Sequence, residues 1–163
     1  MANATVYGFR PVMDEDYKAP RKWPLAITQT IAIGDVVTLD SSGNVIIATA
    51  TSAFVLGVAA TPCTVSALND PIYVWDSPTQ RFEGMASTGA LADPYTTRSA
   101  GACWDLSATT SAMYMNTAAS TYNIFKTVGV SKDPVTGLDS ALGTNQMQIC
   151  MFAPAIHVFG TIA

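Results

Sequence analysis

From residue 31 the chain repeats a short alternation of apolar and smaller or polar residues, broken by turn-forming clusters. Ile31 and Ile33, then Val37 and Leu39, keep a period of two, "DSSGN" interrupts at 40–44, and Val45 and Ile47 resume. Alternation on both sides of an Asp/Ser/Gly/Asn cluster predicts a β-hairpin. The following "FVLGVAA" (54–60) sets Phe54, Leu56 and Val58 against Val55, Gly57 and Ala59, a strand with one bulky and one close-packed face. "PIYVWDSPTQRFEGM" (71–85) predicts strand, Asp-Ser-Pro turn and strand, with Arg81 and Glu83 on one face and Phe82 on the other. "NIFKTVGV" (123–130) places Ile124, Val128 and Val130 on one side, and "NQMQICMF" (145–152) sets Gln146 and Gln148 against Met147, Ile149 and Met151; both read as half-buried strands. Only "SATTSAMYMNTAASTY" (107–122) is a candidate for a short helix, and its Thr and Ser content opposes one. With no sustained 3.6-residue face and no repeat of fixed period, the pattern predicts an all-β sandwich or barrel.

The first 24 residues, "MANATVYGFRPVMDEDYKAPRKWP", lack this rhythm and are punctuated by Pro11, Pro20 and Pro24. Their first 22 hold four of the eight basic residues (Arg10, Lys18, Arg21, Lys22) and three of the twelve acidic ones (Asp14, Glu15, Asp16). The break predicts an extended N-terminal arm over 1–24 and one compact β domain over 25–163. The leader has no basic start followed by a 7–15-residue apolar stretch, so a secretory signal is not expected and the protein is expected to be made in a cytoplasm. Between Asp40 and Asp70 no residue is charged, a length that would span a bilayer. Asn44, the many Ser and Thr residues, Gly43, Gly57, Thr61-Pro62 and the preference for β-branched residues over Leu oppose that reading, so no membrane is expected.

Composition sharpens the picture. At 163 residues the chain is long enough for one self-sufficient core. Charged residues are 12% of it, about half the usual ~25%. A surface of Ser, Thr, Asn, Gly and Ala costs little to desolvate and suits being covered by a partner. The net charge of −4 argues against nucleic-acid binding, which needs a basic stripe.

Candidate chemistry is sparse. Cys63, Cys103 and Cys150 are odd in number and lack C-x-x-C spacing, which points to free thiols, with neither a disulfide framework nor a zinc knuckle. His157, in "AIHVFG", has no G-x-S-x-G elbow to serve and reads as a structural or surface residue. Asp14-Glu15-Asp16 lacks the rigid spacing of a cation site or catalytic carboxylate pair and reads as a solvated run or a docking patch. Neither phosphate-binding glycine motif occurs. No catalytic residue, cofactor or metal is therefore expected. Trp75, in an alternating strand, reads as core, whereas Trp23 beside Pro24 is placed to anchor a partner.

Four segments in order, "ANATVYGFRPV", "IGDVVTLDSSGNVIIATATSAFVLGVAAT", "DPIYVWDSPTQRFEG" and "FKTVGVSKDPVTG" followed by "NQMQICMFAPAIHVFG", resemble the small head decoration (capsid cement) proteins of tailed bacteriophages. The shared part is "G-D-V-V-x-L-D" followed by "V-L-G-V-A", and the likeness spans nearly the whole chain; the region after the N-terminal motif is shorter and more acidic than in many relatives. The resemblance implies a β-barrel or β-tulip module on the capsid exterior of a virion, bound to an assembled shell of major capsid protein as a homotrimer or dimer. Its arm would tie neighbouring capsomers together. Under that reading Tyr7, Phe9, Arg10, Tyr17, Arg21, Lys22 and Trp23 are the capsid-contacting anchors, being aromatic or cationic residues of the arm. Two other readings belong to different classes: a glycan-binding adhesion module on the virion surface, supported by the aromatics and the Thr/Ser-rich loops, and a small β hydrolase, supported only by His157.

Overall fold

The computed structural model describes residues 8–86, 103–117, 121–132 and 146–159, and every regular element among them is a β-strand. In chain order these are β1 (Arg10–Pro11), β2 (Arg21–Pro24), β3 (Val36–Leu39), β4 (Val45–Ile47), β5 (Gly57–Ala59), β6 (Pro71–Trp75), β7 (Phe82–Met85), β8 (Cys103–Ser107), β9 (Tyr114–Asn116), β10 (Phe125–Val130) and β11 (Met147–Phe152). They form two antiparallel sheets, one ordered β1-β7-β11-β10-β8-β9 and one ordered β2-β6-β5-β3-β4.

The hairpin expected at 36–47 is present, with Leu39 opposite Val45. Its turn is held locally: Asp40 Oδ1 accepts the amides of Ser42 at 2.8 Å and Asn44 at 2.9 Å. The five-stranded sheet is buried on both faces at its centre, which is why β3 and β5 are rich in Val and small residues, with Thr38 their one polar member. Val36 and Val58 face a core shared with the six-stranded sheet, packed with Phe9, Phe82, Phe125 and Phe152. Val37, Ala59, Ile72 and Val74 face a second core completed by Leu25, Ile31 and Leu56. Gly57 is required here by close approach: a Cβ on it would lie 2.1 Å from the Trp75 carbonyl oxygen.

Isolated bridges supplement the ladders of both sheets. Leu25, just past β2, bridges Val45 of β4; the Ala26 amide donates to the Val45 carbonyl at 3.0 Å and Gln29 Oε1 accepts the Ile47 amide at 3.1 Å. This covers the exposed side of edge strand β4. In the other sheet Met115 of β9 bridges Ala86, the residue after β7.

Several expectations are revised. The two strands expected in 71–85 are present as β6 and β7, but they belong to different sheets instead of pairing with each other. The turn residues are drawn apart by their partners: Asp76 is held by Arg21 and Trp23 of β2, whereas Gln80 binds the Lys18 amide and the Val12 carbonyl. The candidate helix over 107–122 is not present among the described residues, which carry the end of β8, a turn and strand β9 there. In β11 the buried face carries Gln146, Gln148, Cys150 and Phe152, and Met147, Ile149 and Met151 are the half-exposed ones. The glutamines are satisfied inside, with Gln148 accepting from Thr127 Oγ1 at 3.0 Å and donating to Gln146 Oε1 at 3.0 Å. A bulge between Thr127 and Gly129 shifts the phase of β10, so that Phe125, Thr127 and Val130 are buried while Val128 is half-exposed.

The extended arm is revised as well over residues 8–24. That stretch gives one edge strand to each sheet, β1 beside β7 and β2 beside β6. Gly34 makes room for it: at φ 89° its missing Cβ would lie 3.0 Å from the Phe9 nitrogen, which donates to the Gly34 carbonyl at 2.9 Å.

Candidate interaction surface

The residues expected to reach outward are mostly turned to the protein itself. Phe9 is 1% exposed and stacks on Phe125 with ring centroids 4.6 Å apart. Arg10 is exposed and ion-paired to Glu83 at 2.6 Å. Tyr17 is half-buried, and its amide closes a turn onto the Asp14 carbonyl at 3.1 Å. Arg21 Nε lies 2.8 Å from both oxygens of Asp76, and Trp23 Nε1 donates to Asp76 Oδ2 at 2.7 Å. Lys22 is exposed and sits opposite exposed Tyr73 on the outer side of the edge pair. Tyr7 lies outside the described residues.

The Arg21 cluster follows from strand geometry. Arg21 and Trp23 are two apart on β2, so both side chains leave the same face of the strand and meet Asp76, the residue that follows β6. Asp76 is 3% exposed and accepts from both. Its carboxylate pushes the Arg21 guanidinium further above its already high ordinary range, chiefly through their hydrogen bond. Arg21 also lies over the Phe159 ring at 5.2 Å, and Phe159 stands 6.1 Å from Trp23. Beside them, buried His157 accepts the Phe159 amide at Nδ1 (3.1 Å), while its Nε2 has no hydrogen-bond partner.

The acidic run is likewise engaged, since Asp14 and Asp16 pair with Arg81 at 3.4 and 3.1 Å. Trp75 is half-buried against the shared core, as its place in an alternating strand predicts, and Trp104 is half-buried with its indole nitrogen donating to Thr127 at 3.1 Å. The three tryptophans therefore make no exposed stacking platform. Cys150 is buried and its thiol is pushed well above the ordinary thiol range by burial; Cys63 and Cys103 are half-buried. Among the described residues no group of three or more His, Cys, Asp and Glu is placed to hold a metal ion, and no helix is long and apolar enough to cross a membrane.

Exposed apolar side chains gather somewhere the sequence reading did not single out. Segments 25–31 and 63–70 run side by side: the Thr28 amide donates to the Ser66 carbonyl, Ile31 pairs with Cys63, and the Leu25 amide donates to the Asp70 carbonyl. On this pair Ile27 is 59% exposed, Val65 68% and Leu68 57%. Three non-glycine residues there, Thr28, Val65 and Asn69, take positive φ. For β-branched Val65, at φ 49°, that is a strained backbone held by its surroundings. The available sequence signal was the uncharged stretch between Asp40 and Asp70, which contains Val65 and Leu68.

Compared with known proteins, the chain matches no family model, no curated protein and no solved structure.

Proposed function

We propose that this protein is a structural virion component that binds the outside of an assembled tailed-phage capsid and cements neighbouring major capsid proteins, acting as a homo-oligomer. The support is the ordered resemblance of four segments to head decoration proteins, together with a body that is all β and poor in charge. The observation that carries the reading is the exposed apolar pair of segments, Ile27 with Val65 and Leu68. Such a patch, apolar and fixed by backbone pairing, loses little entropy and little hydration when covered. It replaces the N-terminal residues as the main capsid contact in this reading, with Lys22 and Tyr73 contributing from the neighbouring edge.

Cementing needs no reaction. A protein that binds the assembled lattice better than free subunits stabilises the lattice by mass action, and many copies act together. The test is cosedimentation with undecorated heads of the cognate major capsid protein, followed by thermal disruption of the decorated heads. The wild type should pellet with heads and raise their disruption temperature in proportion to the logarithm of its free concentration. The double variant Ile27→Asp, Leu68→Asp should keep its β-sheet circular dichroism and stay in the supernatant. Heads that disrupt at one temperature with and without saturating protein would overturn the reading.

A further inference from the structure

We propose that residues 153–159 form a clasp that is closed while His157 is neutral and opens when His157 takes up a proton. The clasp has two attachments. At one, the Val55 amide donates to the Ile156 carbonyl and the Val158 amide donates to the Val55 carbonyl, both at 3.0 Å, around a parallel bridge between Val55 and His157. At the other, Phe159 lies under the Arg21 guanidinium and beside Trp23, covering the second core.

His157 sits between these attachments, 1% exposed, its ring 5.9 Å from Phe152 and 5.8 Å from Phe159. Because Nδ1 accepts the Phe159 amide, the neutral ring carries its proton on Nε2. A second proton can be added only at Nδ1. There it turns the acceptor into a donor aimed at another donor, so the bond that fixes Phe159 is lost. The new cation would also stand in a buried place where Nε2 already lacks a partner.

The charged and titratable groups around it do not cancel this. Asp76, after β6, favours the cation, but its oxygens are already engaged by Arg21 and Trp23. Arg21 of β2 opposes the cation. On β11, Cys150 stays a neutral thiol, and the Leu56 carbonyl adds a weak pull toward protonation. Burial is the largest influence and holds the proton affinity of His157 below the ordinary histidine range. Proton uptake therefore accompanies opening. The clasp is fully stable above the ordinary histidine value of about 6.5 and loosens as the pH falls below it.

The protein has a single histidine, so its ring resonances are unambiguous by NMR. Amide hydrogen exchange, corrected for the intrinsic effect of pH, should show the protection of Val55, Val158 and Phe159 falling by up to about ten-fold between about pH 7.5 and 5.5, the ceiling for one proton taken up at an ordinary histidine pKa. Val37 and Val74, in the sheet centre, should keep theirs. In His157→Gln the pH effect should vanish. If that variant fails to fold, the wild-type ring titration decides alone: a His157 signal that begins to titrate only below the ordinary histidine value, while clasp protection already falls, supports the device. Clasp protection that does not change with pH, or a His157 ring that titrates at the ordinary value with the clasp amides still protected, would overturn it.

Discussion

Replacing Phe9 with Ala should destabilise the whole protein, because this ring belongs to the core although it lies within the Pro-punctuated N-terminal stretch. It is 1% exposed and stacks on Phe125, which in turn stacks on Phe152 at 5.4 Å. Against β7 there is no slack, for a Cβ on Gly84 would lie 2.5 Å from two ring carbons of Phe9. Truncating a buried Phe in such surroundings costs about 3–5 kcal/mol, the transfer of the ring plus the cavity left behind. A domain's whole stability is about 5–15 kcal/mol, so the loss is about a fifth of it or more. For a chain of this length the melting temperature should fall by about 6–20 °C, at about 2–4 °C for each kcal/mol. Urea unfolding of wild type and variant checks the value, with an unchanged slope showing that the same surface unfolds. Lys22→Ala, on the exposed edge, serves as the control and should shift stability by no more than about 0.5 kcal/mol. A Phe9→Ala cost below about 1 kcal/mol would refute the reasoning and restore a separable arm.

Two further outcomes follow from close contacts and burial. Gly57→Ala should abolish folding or cost more than about 4 kcal/mol, since the atom it would meet at 2.1 Å is backbone in the paired strand; soluble yield and circular dichroism report it. Asp35 is buried and accepts the amides of Ala32 at 2.9 Å and Ser111 at 3.0 Å, and burial outweighs these bonds to raise its pKa above the usual carboxylate value. The native state therefore binds the Asp35 proton more tightly than the unfolded chain does. Its contribution to stability is largest below the ordinary value of about 3.9 and falls as pH rises through the raised native one; a carboxyl resonance that titrates at or below the ordinary value would contradict this.

The fold was legible where structure is made by neighbours in sequence. Asp40 bonds its own turn, so the hairpin of β3 and β4 could be read from five residues. Period two in 146–152 identified a strand with two faces, but period alone does not say which face is inside. The choice is made by Thr127, distant in sequence, whose hydroxyl makes a buried Gln148 affordable. The same holds for the assignment of β6 and β7 to different sheets, which depends on Asp76 finding Arg21 and Trp23 more than fifty residues earlier. Strands β1 and β2 are two and four residues long, too short to show a period, and so the segment that holds them read as an arm. Of the candidate surface, the poverty of charge was visible and the location was not. Ile27 and Leu68 are placed on neighbouring segments only through the pairing of two stretches that are loops in sequence terms.

The inward use of charge bears on how such a surface would recognise a shell. Each described arginine is ion-paired: Arg10 to Glu83, Arg21 to Asp76, and Arg81 to Asp14 and Asp16. Asp105 is also buried, accepting the amides of Thr121, Tyr122 and Asn123. Charges committed in this way organise the body, and little of them is left to steer a partner over long range. Under the proposed function, affinity then rests on shape and apolar contact, which salt does not screen. Raising ionic strength from about 0.05 to 0.5 M shortens the Debye length from about 14 to 4 Å, and head binding should change by less than about three-fold. Sedimentation of heads with protein at the two salt levels measures it. A steep loss of binding at high salt would show that Lys22 and its exposed neighbours, rather than Ile27, Val65 and Leu68, supply the contact.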